Sequence, residues 1–291
     1  MTDYLHETAR NWPAAGASLL LALLAGALLW FVHNALTRFD DREVLFREGN
    51  VAYSVQRIAL VLAFGIAALP TITRTAQDHR WYGLLGQAME LAWVVLALLA
   101  VRYLVDLVVL VRVDNTAALL RGNVALGVAE AGFYLGFGFV LNGSLTGASA
   151  TLGQGIASTV VFGLLGLAVV VAVFWLHEAV TPWHIRDHLR DGRLAAAFEA
   201  AGVLTSTGIV VREGVAGDFT GWGAGLVAFA VTVLFAVGTL YVFRWLANRL
   251  LLHGWTLRQI QEQDRVTAAA FSAAVMVVVA VSVAAVVRTQ L

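Results

Sequence analysis

The sequence predicts an all-α, polytopic membrane protein whose eight transmembrane helices form four parallel two-helix repeats. Three observations carry this reading. Of 291 residues, 60% are apolar and 13% charged, whereas soluble domains hold roughly 45–50% and about 25%. Eight apolar stretches reach or approach the ~20 residues that a helix needs to cross a ~30 Å hydrocarbon core. The phrase LFREGNVAYSVQ at 45–56 also returns as LLRGNVALGVAE at 119–130, and repetition at that distance points to duplication.

The spans follow in order. Residues 14–36 lie behind an acidic and polar lead, and their 23 residues exceed the core of a secretory signal, so this stretch is expected to remain as a helix. The others are 51–69, 84–113, 124–141, 156–175, 194–211, 221–252 and 266–287. A polar, arginine-rich stretch precedes every second span: TRFDDREVLFREGN, VRVDNTAALLRGN, TPWHIRDHLRDGR and HGWTLRQIQEQDR. These end on the repeat anchors Asn50, Asn123, Arg193 and Arg265, spaced 73, 70 and 72 residues apart. The expected repeats are 1–76, 77–150, 151–217 and 218–291.

Small residues keep the same phase. Nine places after the anchors stand Ala59, Gly132, Gly202 and Ala274, and fifteen places after them Gly65, Gly138, Gly208 and Ala280. Lipid supplies little hydrophobic drive between helices, and small residues let backbones approach closely enough for dispersion to hold them. In the third polar stretch Thr181 is expected to cap, and Pro182 to open, a short interfacial helix with Ile185 and Leu189 on one face. Gly192 would end it, as Gly49 and Gly122 precede the first two anchors. The second helices are expected to gather around a common axis. The two halves would then form four-helix subbundles related by a twofold axis along the membrane normal.

Arginine placement sets orientation. All 19 basic residues are arginine. Eleven lie in the anchor loops: Arg38, Arg42, Arg47, Arg112, Arg121, Arg186, Arg190, Arg193, Arg249, Arg258 and Arg265. Five, Arg10, Arg74, Arg80, Arg212 and Arg288, lie on the opposite side, and three lie within spans. The positive-inside rule then places the anchor loops in the cytoplasm and both termini outside a bacterial inner membrane. Zero formal net charge gives no support to nucleic-acid binding. The absence of cysteine removes disulfides and thiolate metal ligands.

The phrases REGNVAYSVQRIALVLAFGIAAL and LLRGNVALGVAEAGFYLGFGFVLNGSL resemble the YjfL-like family, a bacterial inner-membrane domain of unknown function. The resemblance implies a paired-helix unit, with an N-x-A phrase opening the second helix and glycines farther along it. It implies four units here, where most members resemble two. Arg193 and Arg265 depart from the asparagine, and Asp264 departs from the glycine. The resemblance implies no enzymatic activity, and it carries an association with envelope-stress and ATP-grasp ligase proteins.

Ionisable side chains at bilayer depth need partners or a wet cavity. The candidates are Arg57, Glu90, Arg102, Asp106, Glu130, Glu199 and Arg244. Arg102 and Asp106, four apart, are expected to form a structural ion pair. Arg57 and Glu130 stand seven places after their anchors and Glu199 six, so the three are expected to form one intramembrane polar cluster. That cluster would act either as a proton or cation relay or as a network fixing which repeats pack together. Asn50 and Asn123 are expected to cap their helices, the alternative being that they meet around a ligand or ion. Arginine cannot accept a hydrogen bond, so Arg193 and Arg265 cannot cap this way. His184 and His188 have the spacing of a helical metal pair, with His177 nearby, but no further ligand is evident. No phosphate loop, nucleophile elbow, HExxH or dinucleotide fingerprint is present. Neither an enzyme nor a cofactor is expected.

Two functions remain open. The first is a channel or transporter-like component for a small solute, ion or proton, lined by the cluster. The second is a non-transport scaffold whose cytoplasmic loops recruit a protein partner or bind anionic lipid; self-association is a further candidate. A hydrated path between the second helices favours the first, and a dry seam the second.

Overall fold

The computed structural model describes residues 2–37, 39–78, 83–106, 114–252 and 254–289, with side chains from residue 12 onward except at 78. The expected end of the third span, residues 107–113, lies outside the described residues, as do Arg38, Arg80, Arg112 and the side chain of Arg10. The elements are α1 (Thr2–Ala35), a π-helical turn (Glu43–Arg47), α2 (Val51–Asp78), α3 (Gly83–Leu104), α4 (Asn115–Leu120), α5 (Val124–Ser144), α6 (Leu152–Val180), α7 (Ile185–Arg190), α8 (Leu194–Val215), α9 (Trp222–Leu251), α10 (Leu257–Glu262) and α11 (Val266–Arg288). The described residues contain no strand. Eight of these helices are long and apolar enough to cross a membrane.

The second helix of each pair, α2, α5, α8 and α11, packs beside the next in that order. Glycines bring them together. A Cβ added to Gly138 would stand 2.8 Å from the Ala63 Cα, and one on Gly127 would collide with the Ala52 carbonyl. Gly132 faces Ala201, Gly143 faces Arg212 and Gly202 faces Ala273 in the same way. Gly127/Ala52 and Gly138/Ala63 keep one offset along the chain, as do Gly132/Ala201 and Gly143/Arg212, which only parallel neighbours can do. The inner layer is therefore a row of four parallel helices. α3 lies against α2 and α5, α6 against α5 and α8, and α9 against α8 and α11. Exposed leucines such as Leu23 and Leu234 point outward, where lipid would meet them.

This row corrects two expectations. The second helices do not surround a common axis, because α2 and α11 stand at opposite ends of the row. Nor do the halves form separate subbundles. The α5–α8 seam joins them backbone to backbone, with Gly136 against Gly208. Small residues in phase on all four helices favour side-by-side stacking, and nothing in that pattern breaks at the midpoint.

The α2 helix also runs past Pro70 to Asp78, well beyond the expected end at residue 69. A proline removes the N–H that would bond the carbonyl four residues earlier. That carbonyl, on Ile66, instead accepts from Asn142 Nδ2 of α5 at 2.7 Å. A neighbouring helix thus resolves the proline defect, as spanning helices require.

In the third loop Thr181 does not open a helix. Its backbone is extended, as the residue before proline prefers, and its hydroxyl donates back to the His177 carbonyl at 2.9 Å, closing α6. The short α7 starts after His184, with Ile185 and Leu189 buried on one face. Gly49, Gly122 and Gly192 all take left-handed backbone, and Asp264 takes it in the fourth copy with φ 46°.

Candidate functional site

The anchors Asn50, Asn123, Arg193 and Arg265 stand immediately before the second helices. Asn50 Oδ1 accepts from the Tyr53 N–H at 3.0 Å, and Asn123 Oδ1 from the Leu126 N–H at 3.0 Å. Both are N-caps. Their amide nitrogens reach the short helix before the next second helix: Asn50 Nδ2 donates to the Leu119 carbonyl at 3.0 Å, and Asn123 Nδ2 to the Leu189 carbonyl at 2.9 Å. Each asparagine thus caps its own helix and ties down the end of the following short helix. The two asparagines do not meet around a ligand.

The third anchor divides this task. Arg193 Nη2 donates to the Glu262 carbonyl at 2.8 Å at the end of α10, keeping the donor half. The acceptor half passes to Asp264, whose Oδ1 accepts from the Ala195 N–H at 2.8 Å. The departures from asparagine and glycine therefore compensate one another across the α8–α11 junction.

The three expected cluster residues lie in separate settings. Arg57, 2% exposed, pairs with Asp41, 0% exposed. Tyr53 Oη donates to the same carboxylate at 2.5 Å, and its ring lies 4.8 Å from the Arg57 guanidinium carbon. Glu130 of α5, 4% exposed, accepts from Gln56 Nε2 of α2 at 2.6 Å. No cation comes within ion-pair distance of it among the described residues. Glu199 of α8, 6% exposed, is held from three sides: His177 Nε2 at 3.1 Å, Arg244 Nη2 at 2.9 Å and Gln261 Nε2 at 2.7 Å. A linear row separates these centres where a ring would have gathered them.

The expected Arg102–Asp106 pair is not made. Asp106 accepts from Asn115 Nδ2 at 2.5 Å, while Arg102 turns toward Thr116. Regular α-helix ends at Leu104, so the two side chains do not share an unbroken helical face. His184 and His188 do not come together with a third candidate ligand among the described residues. His188 Nε2 instead lies 3.1 Å from Arg193 Nη1.

A second polar network near the other ends of the helices escaped the sequence reading. Asn142 Oδ1 accepts from Arg212 Nε at 2.5 Å. Arg212 also pairs with buried Glu213, which Arg288 Nη2 reaches at 2.7 Å. Asn142 and Arg212 both stand nineteen places after their anchors, and that shared phase was a usable signal. Arg74 and Glu90 form another pair there, beside an open polar cleft of about 160 Å3.

Between the second helices the seam is close-packed. The voids beside Glu130 and beside Glu199 are about 10 Å3 each, near the lower limit for a single water. Close glycine contacts fill the remaining distance between backbones.

The family described as Domain of Unknown Function (DUF350) matches residues 7–145, 80–179 and 150–287. The chain is similar to the UPF0719 transmembrane protein of Aquifex aeolicus (strain VF5), with 19% identity over 198 residues, covering 67% of this chain and 72% of the relative. No solved structure matches it. With eight spanning helices and a family match that runs over nearly its whole length, the chain is a multi-pass membrane protein that belongs to the DUF350 family.

Proposed function

We propose that this DUF350 protein is a non-conducting, non-enzymatic scaffold of the bacterial inner membrane, beside the YjfL-like members that its two N-x-A phrases resemble. Its four repeats stack as one rigid layer, with the anchor loops on the cytoplasmic side. There the exposed arginines, among them Arg47, Arg190 and Arg258, would hold a cytoplasmic protein of an envelope-maintenance system against the anionic inner leaflet.

The observation that carries this reading is the close-packed seam. Charges at bilayer depth are either partnered, as Arg57 and Glu199 are, or hydrogen-bonded without room for more than one water, as Glu130 is. A path for ions needs a continuous run of polar groups or water, and glycine-to-backbone contacts interrupt it.

A proton-transfer reading keeps one observation in its favour. Glu130 is a buried carboxyl with an amide partner and no counter-charge, the setting in which a membrane carboxyl takes up and gives back a proton. Proteoliposomes loaded with a pH-sensitive dye and driven by a potassium diffusion potential separate the two. The scaffold reading expects acidification no faster than in empty liposomes. A proton current that disappears in a Glu130→Gln, Glu199→Gln double variant would replace it with transport.

A further inference from the structure

We infer that a second copy of this chain continues the row, with α11 of one copy seated in the groove between α1 and α2 of the next. The inference is independent of whether the protein conducts, because it rests on faces that the repeat pairs inside the chain and leaves open at its ends.

Each of α5, α8 and α11 turns one face to the second helix before it. That face carries the places four, eight and fifteen after the anchor: Gly127 on Ala52, Ala201 on Gly132, Ala273 on Gly202, Gly138 on Ala63 and Gly208 on Gly136. On α2 the same places are Ser54, Ile58 and Gly65. Ile58 is 59% exposed. A Cβ added to Gly65 would meet nothing within 4 Å, although its counterparts Gly138 and Gly208 press on backbone. The opposite face, which α5 presents through Gly132 and Gly136, is carried on α11 by Ala274 and Val278, and Val278 is 65% exposed.

The outer helices repeat the pattern. α3, α6 and α9 each sit between two second helices, whereas α1 leans on α2 with no second helix before it among the described residues. A groove of about 430 Å3 remains, lined by Leu19, Leu23, Gly26 and Trp30 of α1 and by Val61 and Gly65 of α2. It lies where a preceding second helix belongs.

The hydrogen bonds have the same polarity. Asn50, Asn123 and Arg193 each donate to carbonyls three or four places before the next anchor. Arg265, the fourth anchor, meets no following short helix among the described residues; it bonds Gln263 at 3.0 Å and lies over the Trp255 ring. At the other end the corresponding carbonyls belong to Phe46 and Arg47, and no side chain among the described residues donates to them. A lipid chain can fill an apolar groove, but it supplies neither a donor for these carbonyls nor a repeat-matched face. A second copy supplies both, in a head-to-tail contact that closes a ring or extends a row. The internal register predicts Gly65 opposite Val278 of the second copy, and Ile58 opposite its Ala274.

The chain has no cysteine, which makes the test direct. Differently tagged Gly65→Cys and Val278→Cys chains are co-expressed, and their membranes are oxidised with copper phenanthroline. The expected result is a disulfide-linked dimer carrying both tags, with at most traces of dimer when either variant is expressed alone. Ile58→Cys with Ala274→Cys is a second pair in the same register and gives the same pattern should either first variant fold poorly. Absence of mixed dimer from both pairs, leaving the groove to lipid, would overturn the inference. So would equal cross-linking of Gly65→Cys by itself, which would mean a symmetric α2–α2 contact.

Discussion

At the scale of single residues, Glu130 and Glu199 occupy the same depth of the row and differ in what holds them. Glu199 neutralises Arg244 and contacts His177, so Glu199→Gln leaves a buried guanidinium without its counter-ion. Loss of one member of a buried pair costs about 3–5 kcal/mol. Glu130 meets only the amide of Gln56, so Glu130→Gln removes no ion pair and is expected to cost less than about 1 kcal/mol. Thermal unfolding in detergent checks the contrast, and equal losses would contradict it. His188 offers a pH test outside the membrane. Burial, then the charge of Arg193, holds its imidazole below the usual value against the opposing pull of Asp191, Asp187 and Asp264. Below about pH 6.5 the unfolded chain therefore binds more protons at this site than the folded one, and stability falls as pH falls through that value. The decline in melting temperature between pH 7 and pH 5 is expected to be shallower in His188→Gln.

At the scale of helices, the proline in α2 and the asparagine in α5 form a unit. Asn142→Ala leaves the Ile66 carbonyl without its donor and the Arg212 Nε without its acceptor, while the Arg212–Glu213 pair remains. A loss of about 1 kcal/mol is expected for two interhelical hydrogen bonds, which average about 0.6 kcal/mol each in a membrane protein. Pro70→Ala restores the N–H that the carbonyl lacks, so the same substitution should cost less in that background. Strict additivity in the double-mutant cycle would show that Asn142 is not compensating for the proline. Glycines at one phase should also part company: Gly208→Ala must push apart the α5 and α8 backbones, while Gly65→Ala meets open space within its own chain. Unfolding temperatures should fall sharply for the first and little for the second. The spans and anchors were legible in the sequence because hydropathy and period are local properties of the chain. The partners were not, because each lies on another helix. Asp41 reads as one of two solvated acids in a loop until Arg57 is seen to enclose it.

For the whole molecule, period alone could not distinguish a ring from a row, since both bury small residues at the same phase. What distinguishes them is which face each small residue occupies, and it is seen in the pairing of Gly127 and Gly138 with α2 on one side of α5 and of Gly132 and Gly136 with α8 on the other. Once the row is known, all three short helices and the π-helical turn fall at one end of the layer, because four second helices run parallel and each begins just after one of them. Both sides of the membrane therefore carry distinct chemistry: arginine-rich anchor loops at one end, and the glycine- and serine-containing connections around Ser149 and Asp218 at the other. The proposed orientation, taken from the positive-inside rule, puts the first end in the cytoplasm. A cysteine-free chain again permits a clean measurement. Arg258→Cys, exposed on α10, is expected to react with a membrane-impermeant maleimide only in inverted vesicles, and Ser149→Cys only in intact spheroplasts. Reaction of Arg258→Cys from outside would reverse the orientation, and would remove the cytoplasmic partner from the scaffold reading while leaving the row intact.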